Sequence, residues 1–257
     1  MKRRLTHLFL TLLLLAAALP AFGQGKIYTR KIRLADFPTK TTKIVLQGHS
    51  LLELTLREEI AVHWRISPYE VCTPEEYDGL KNSNALYFLL PGREDGLDWL
   101  ILAKGGRPDE KESLRKPFEV IRLPIASADE PSGRELVLMG AFLDIIQNFV
   151  EEAMISDRTA YGGLSESAGG RLRGKKVLLD PDAADAAVLA QEADALAGVV
   201  IAPGDPEEGN SCYKMLISAD THELFLFEKC RYRTPDDARF TEGDVRRFER
   251  HGATVVL

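Results

Sequence analysis

One stretch of the sequence decides the fold class: KVLLDPDAADAAVLAQEADALAGVVI, residues 176–201. Its first four residues read as a buried strand, and Asp180 with Pro181 has the form of a helix N-cap followed by proline in the first turn. The alanine-rich run predicts a helix to about residue 196, and residues 199–201 predict a second strand. Strand, helix and strand with short joints predict a parallel crossover, and hence an α/β fold.

A β-hairpin is predicted after the crossover, from residues 212–218 and 224–230. In its short turn, His222 is expected to take the left-handed position that glycine usually fills. The resulting register places Ile217 opposite Phe225, so that the apolar side chains share one face. A helix capped by Thr241 and a last strand, residues 254–257, complete the chain.

The first half of the chain carries two more helix starts. Ser50 with Glu53 has the spacing of a capping box and predicts a helix that ends near His63. Thr73 followed by Pro74 predicts a short second helix. Predicted strands are residues 43–47, 85–90, 99–103 and 120–125, with a polar loop at 91–96, and the longest predicted helix covers residues 136–155.

We therefore expect a mixed α/β fold, in which helices pack on a mixed parallel and antiparallel sheet. Residues 127–135 join an N-terminal α/β half, residues 24–126, to a C-terminal α/β half, residues 127–257, which contains the crossover and the hairpin. Whether the two halves are separate subdomains or share one sheet stays open at this stage.

The N-terminus has the three parts of a cleavable secretory signal. Basic residues at positions 2–4 precede an apolar stretch at 8–19 and small residues before Gln24, which predicts a signal peptide at 1–23. The apolar stretch is shorter than the roughly 20 residues of a spanning helix. We expect a periplasmic or secreted protein with no integral membrane segment after cleavage.

Composition argues against a nucleic-acid partner. The chain has a formal net charge of −6. The charged residues of the predicted signal are all basic, so the part that remains after cleavage is more acidic still. In an oxidising compartment, three cysteines allow one disulfide. The hairpin register places Cys212 opposite Cys230, and we predict a bond between them that leaves Cys72 free.

One segment carries a resemblance. Residues 63–72, HWRISPYEVC, with the following TPEEY and with YFLL at 87–90, resemble a stretch of uncharacterised exported proteins of Bacteroidota. The resemblance covers about a third of the chain and implies a periplasmic setting in a diderm bacterium. It brings no functional residues with it.

Segments that resemble catalytic motifs lack the neighbouring structure or partner sequences that those motifs require. Residues 169–176 nearly match a phosphate-binding loop, but they lie before a strand, whereas such a loop follows a strand and opens a helix. Ser113 and Lys116 have the spacing of a penicillin-interacting motif without its partner sequences. No two histidines stand at ligand spacing. We therefore assign no catalytic, cofactor or metal residues and expect no cofactor.

An aromatic group near a guanidinium is the one candidate ligand site: Trp64, Arg65, Tyr69 and Tyr77. Such a set suits sugars or peptides, although Trp64 and Tyr69 can equally anchor a helix to a strand in the core. We predict an exported, non-catalytic envelope protein that binds a protein partner or a small ligand. The alternative is a metal-independent hydrolase acting on cell-wall or glycan material, with acids drawn from separate loops.

Overall fold

A computed structural model of the protein describes residues 29–48, 50–107, 115–165 and 169–257. The predicted signal peptide, His49 and Ser113 lie outside the described residues. Within them the fold is mixed α/β, as predicted, with two five-stranded sheets. The helices are α1 (Arg30–Leu34), α2 (Leu51–His63), α3 (Pro74–Leu80), α4 (Arg134–Val137), α5 (Met139–Ile155), α6 (Asp157–Gly162), α7 (Pro181–Leu189) and α8 (Glu242–Arg250).

The strands divide equally between the two sheets. They are β1 (Thr41–Val45), β2 (Tyr69–Cys72), β3 (Leu86–Glu94), β4 (Leu97–Lys104), β5 (Phe118–Ser127), β6 (Lys176–Leu178), β7 (Ala195–Ile201), β8 (Ser211–Ser218), β9 (Leu224–Arg231) and β10 (Thr254–Val256). The first sheet has the order β2-β1-β3-β4-β5, and the second has the order β10-β6-β7-β8-β9.

The two sheets repeat one pattern of strand directions. In each sheet, the second strand in the order (β1 or β6) has a parallel neighbour on both sides. The last two strands in the order are each antiparallel to the strand before them. The predicted parallel crossover is confirmed as β6-α7-β7. The chain visits the strands in different orders, since β2 is the second strand of its sheet and β10 is the last of the other.

The helices of the first sheet cover opposite faces. Ile44 belongs to the main core together with Leu56 and Ile60 of α2. Its neighbour Val45 belongs to a smaller core that packs against Tyr77 of α3. Successive side chains of a strand point to opposite faces, so α2 and α3 lie on opposite sides of the sheet.

The main core spans both sheets, and helix α5 lies within it. Most of the α5 side chains are buried, including Phe142, Ile146 and Val150. Trp99 of the first sheet and Tyr213 of the second meet edge to face, with ring centroids 5.3 Å apart. The two sheets are therefore distinct hydrogen-bonded units that share one apolar interior.

Helix starts agree closely with the sequence. Capping boxes form at Ser50 with Glu53, at Thr73 with Glu76 and at Thr241 with Asp244. Among the described residues, no helix has the length and apolar character needed to cross a membrane.

The predicted loop at 91–96 is wrong. Strand β3 continues through Pro91 to Glu94, and the chain reverses within Asp95 and Gly96, whose φ angles are 54° and 71°. Two successive residues with positive φ define a type I′ turn, for which Asp-Gly is a preferred sequence. Pro91 and Gly92 suggest a loop, but the ladder to β4 runs through both of them.

Two predicted helices have wrong limits. The helix that Asp180 caps ends at Leu189, because Gln191 and Asp194 take left-handed conformations and residues from Ala195 onward join β7. The long helix at 136–155 is two helices, α4 and α5, which meet at Leu138.

The second hairpin has the predicted turn, but its strand pairing beside the turn differs from the predicted register. His222 has a φ of 55°, and Cys212 lies opposite Cys230, both as expected. A bulge between Leu216 and Ile217 places Ile217 opposite Leu224 rather than Phe225.

The predicted disulfide is not present, since Cys212 and Cys230 are both free thiols. The Cys212 thiol instead donates to the carbonyl oxygen of Asp237 at 3.5 Å. Burial raises the pKa of Cys212 to about 11. This keeps its sulfur protonated at neutral pH and disfavours thiol exchange, which needs the thiolate.

Candidate functional site

A cleft of about 730 Å³ opens at the carboxyl ends of the parallel strands of the first sheet. Its floor is Val45 and Gln47, just after β1 ends. One wall comes from the starts of α2 and α3, and the other from the part of the β3–β4 hairpin that extends beyond β1. The cleft is therefore formed by backbone segments that the sheet itself holds in place.

The position of the cleft follows from the strand connections. Strand β1 leads into α2 on one face of the sheet, and its neighbour β2 leads into α3 on the other face. Where neighbouring connections diverge in this way, a crevice opens outside the carboxyl ends of the strands, and α/β proteins bind ligands in such crevices.

Glu53 fixes the α2 side of the cleft. Its carboxylate accepts hydrogen bonds from the backbone N–H groups of Gln47 at 2.8 Å and Ser50 at 3.4 Å, and from the Ser50 hydroxyl at 3.2 Å. The start of α2 thus carries its own negative charge, which complements the helix dipole.

Arg93 and Asp98 form the hairpin side. They lie directly opposite each other on β3 and β4, and Arg93 Nε donates to Asp98 Oδ1 at 3.2 Å. Burial raises the pKa of Asp98, and the contact with Arg93 only partly offsets this. The Arg93 side chain is 60% exposed and also contacts the Ala128 carbonyl oxygen just after β5, so its guanidinium extends over β4, away from β1.

The apolar part of the lining lies between these polar groups. It consists of Val45, Leu52, Pro74, Tyr77 and Leu90. The Tyr77 ring is held edge to face against Phe88, with centroids 5.0 Å apart, which fixes its orientation. Polar acceptors on two sides of an apolar surface are typical of sites for small organic ligands.

The residues of the predicted aromatic group lie in different parts of the structure. Trp64 is buried against Phe37, and its indole N–H donates to Ser67 Oγ at 3.1 Å, which is the core-packing alternative. Tyr69 is exposed on the edge strand β2. Only Tyr77 lines the cleft, and Arg65 points to a different group of polar residues.

That second group is a polar cluster of His63, Arg65, Asp144, Gln147 and His222. Asp144 Oδ2 lies 2.8 Å from His222 Nδ1 and 3.1 Å from His63 Nδ1. Asp144 Oδ1 accepts from Arg65 and, at 3.2 Å, from the Gln147 amide. Burial raises the pKa of Asp144, but the hydrogen bonds from the two histidines and Arg65 outweigh it and lower the pKa to about 2.

The members of this cluster come from distant parts of the chain. His63 ends α2, Asp144 lies on α5, and His222 occupies the turn between β8 and β9, 78 residues from Asp144. Sequence spacing carries no signal of such a meeting, so the motif search missed it.

No protein-family model, curated protein or solved structure matches this chain.

Proposed function

We propose that this protein is an exported binding protein, whose cleft at the carboxyl ends of β1 and β2 holds a small, neutral, hydroxyl-rich ligand such as a short glycan. The observation that supports the proposal most is the set of side chains that line the cleft. Glu53 and Asp98 offer carboxylate acceptors from two walls, and Tyr77 offers an aromatic surface between them.

The charges of the cleft favour this ligand class over its competitors. Two carboxyl groups and one guanidinium line it, and the guanidinium of Arg93 is already paired with Asp98. A phosphate or carboxylate ligand would meet net negative charge. Sugar hydroxyls instead donate to carboxylates, and an aromatic ring packs against the apolar face of a sugar.

Titration with neutral oligosaccharides tests the proposal. Chitooligosaccharides and soluble cell-wall glycan fragments are titrated calorimetrically into the exported chain and into an Asp98→Asn variant. We expect binding by the wild type and an affinity about tenfold lower for the variant, because one charged acceptor is lost.

The matched control is Asp78→Asn, since Asp78 is an exposed acid of α3 that pairs with Lys81 and does not line the cleft. Its affinity should equal that of the wild type. Absence of binding to every neutral glycan, or equal loss in both variants, would overturn the proposal.

A second candidate function is glycan hydrolysis, and one observation favours it. The cleft offers two acids from different walls, Glu53 and Asp98, and burial raises the pKa of Asp98. Glycosidases use a pair of carboxyl groups of which one has a raised pKa. Release of new reducing ends from the same glycans, abolished by both Asp98→Asn and Glu53→Gln, would replace binding by hydrolysis as the function.

A further inference from the structure

We propose that His63, Asp144 and His222 form a binding site for one divalent first-row transition metal ion, with Zn²⁺ as the representative ion. The site lies at the far end of α2 from the cleft, about 18 Å away along a thirteen-residue helix. It is independent of ligand binding in the cleft, and either proposal can fail without the other.

The ligand atoms are already close together. One nitrogen from each imidazole and one carboxylate oxygen all lie within 4.8 Å of one another. Both Nδ1 atoms face the same oxygen, Asp144 Oδ2, at 2.8 and 3.1 Å. Zinc bonds of about 2.0–2.2 Å place tetrahedral ligands about 3.4 Å apart, so an ion needs each of these two N–O distances to lengthen by only a few tenths of an ångström.

The two oxygens of Asp144 have different surroundings. Oδ1 is taken by Arg65 and by the amide of Gln147, whereas Oδ2 faces only the two imidazoles. Gln147 is itself fixed, because its carbonyl oxygen accepts from the backbone N–H groups of Arg65 and Ile66 at 2.7 and 3.2 Å. A carboxylate that binds a metal through one oxygen is typically held in this way through the other.

His63 has the outer contact that metal-bound histidines usually have. Its Nε2 lies 3.3 Å from a carboxylate oxygen of Glu59, one turn earlier on α2. This contact orients the ring with Nδ1 toward Asp144. Gly140 provides the space for this arrangement, because a Cβ atom there would stand 2.6 Å from His63 Nε2.

The donor set selects the class of ion. Two imidazole nitrogens and one carboxylate oxygen suit zinc, cobalt, nickel or ferrous iron, whereas calcium and magnesium prefer sites made of oxygen alone. Three protein ligands leave a coordination position for water or a further ligand. The side chains of His222 and Asp144 are about nine-tenths buried, so the site is largely shielded from solvent.

The test uses untagged protein freed of metal by a chelator. Zn²⁺ is titrated calorimetrically, and Co²⁺ is followed by its visible absorption, which reports nitrogen and oxygen ligation directly. We expect one equivalent of each ion to bind. His63→Gln and His222→Asn should each weaken binding at least tenfold, and asparagine is chosen at position 222 because it tolerates positive φ.

The control for these variants is His251→Asn, since His251 is an exposed residue at the end of α8. It should bind both ions as the wild type does. Circular dichroism confirms that each variant is folded before it is titrated. No binding by the wild type, or an affinity unchanged in His63→Gln or His222→Asn, would overturn the proposal.

A milder pair of variants separates metal binding from a purely structural hydrogen-bond cluster. Glu59→Gln removes the outer carboxylate but keeps all three proposed ligands, and Glu58→Gln changes the exposed neighbouring acid. We expect Glu59→Gln to weaken Zn²⁺ about tenfold and to shift the Co²⁺ absorption, with Glu58→Gln unchanged. Equal Zn²⁺ affinities and Co²⁺ spectra for the two variants would contradict the assigned role of Glu59 and count against the site.

Discussion

His222 donates from Nδ1 to Asp144 Oδ2 across 2.8 Å, which connects the turn of the second hairpin to the buried helix α5. His63 donates to the same oxygen from the end of α2, at 3.1 Å. A carboxylate ionised at neutral pH only accepts hydrogen bonds, so the protons of both contacts belong to the imidazoles. Asp144 therefore joins elements from both halves of the chain through one side chain.

Replacing this carboxylate should destabilise the whole fold. Asp144→Asn leaves a single acceptor oxygen for four donors and places an amide against them. We expect the free energy of unfolding to fall by about 3 kcal/mol, measured by urea denaturation of chelator-treated protein. Asp182→Asn, an exposed acid at the start of α7, is the control and should change it by less than about 0.5 kcal/mol. Equal effects of the two variants would show that Asp144 is not a structural centre.

The same residue predicts how stability depends on acid pH. The pKa of Asp144 in the folded protein, about 2, lies below the usual value of 3.8. Ionised Asp144 therefore contributes its full stabilisation of the fold at pH values above 3.8. It is lost as the pH falls toward 2, and amounts to about 2 kcal/mol. The difference in unfolding free energy between wild type and Asp144→Asn should therefore shrink between pH 5 and about pH 2. A difference that stays constant over this range would contradict the assigned pKa.

Lys214 and Asp244 form a second buried ion pair, between β8 and α8. Lys214 Nζ donates to Asp244 Oδ2 at 2.8 Å, and both side chains are nearly excluded from solvent. Lys214→Met should cost about 2 kcal/mol of unfolding free energy, because the buried Asp244 carboxylate loses one of its two cations and keeps only Arg247, at 2.9 Å. Lys229→Met, on the exposed face of the neighbouring strand, should cost less than about 0.5 kcal/mol in the same denaturation experiment. A cost for Lys214→Met as small as that of the control would mean that solvent reaches the pair.

The thiols predict a simple mass measurement. All three cysteines are free, so alkylation of the denatured protein without reductant should add three alkyl groups. In the folded protein at pH 8, Cys212 should react very slowly, because a pKa of about 11 leaves about one thiolate in a thousand. Addition of a single alkyl group to the denatured protein would instead indicate a disulfide.

The sequence was most informative where structure is local. Ser50 with Glu53 forms the capping box that its spacing predicts, and Thr241 caps α8 as expected. A cap depends on four neighbouring residues, so the pattern contains the whole interaction. The α/β class was also predicted from local segments, because short predicted strands and helices alternate along the chain.

Prediction failed where tertiary contacts overrule local preference. Alanine-rich residues after 189 favour helix, but pairing with β6 and β8 draws residues 195–201 into a strand. Pro91 keeps its place in β3 because its neighbours pair with β4 on either side. The bulge after Leu216 depends on packing that no cross-strand pattern contains.

The candidate sites were the least predictable part. Of the four residues expected to face a ligand, only Tyr77 lines the cleft, since the others are distributed among the core, an edge strand and the polar cluster. The predicted strand started at Trp99, so the pairing of Asp98 with Arg93 across the hairpin was not expected. Sites assembled from separate elements become visible only when the topology is known.

Native mass spectrometry of the chain, purified gently from its native host, tests the central claim most directly. The account predicts an added mass of a few hundred daltons on the wild type, the size of a short glycan, and its absence from Asp98→Asn prepared in parallel. Asp78→Asn should retain the added mass. A wild type without any organic increment, or an increment that Asp98→Asn retains in full, would contradict ligand binding in the cleft.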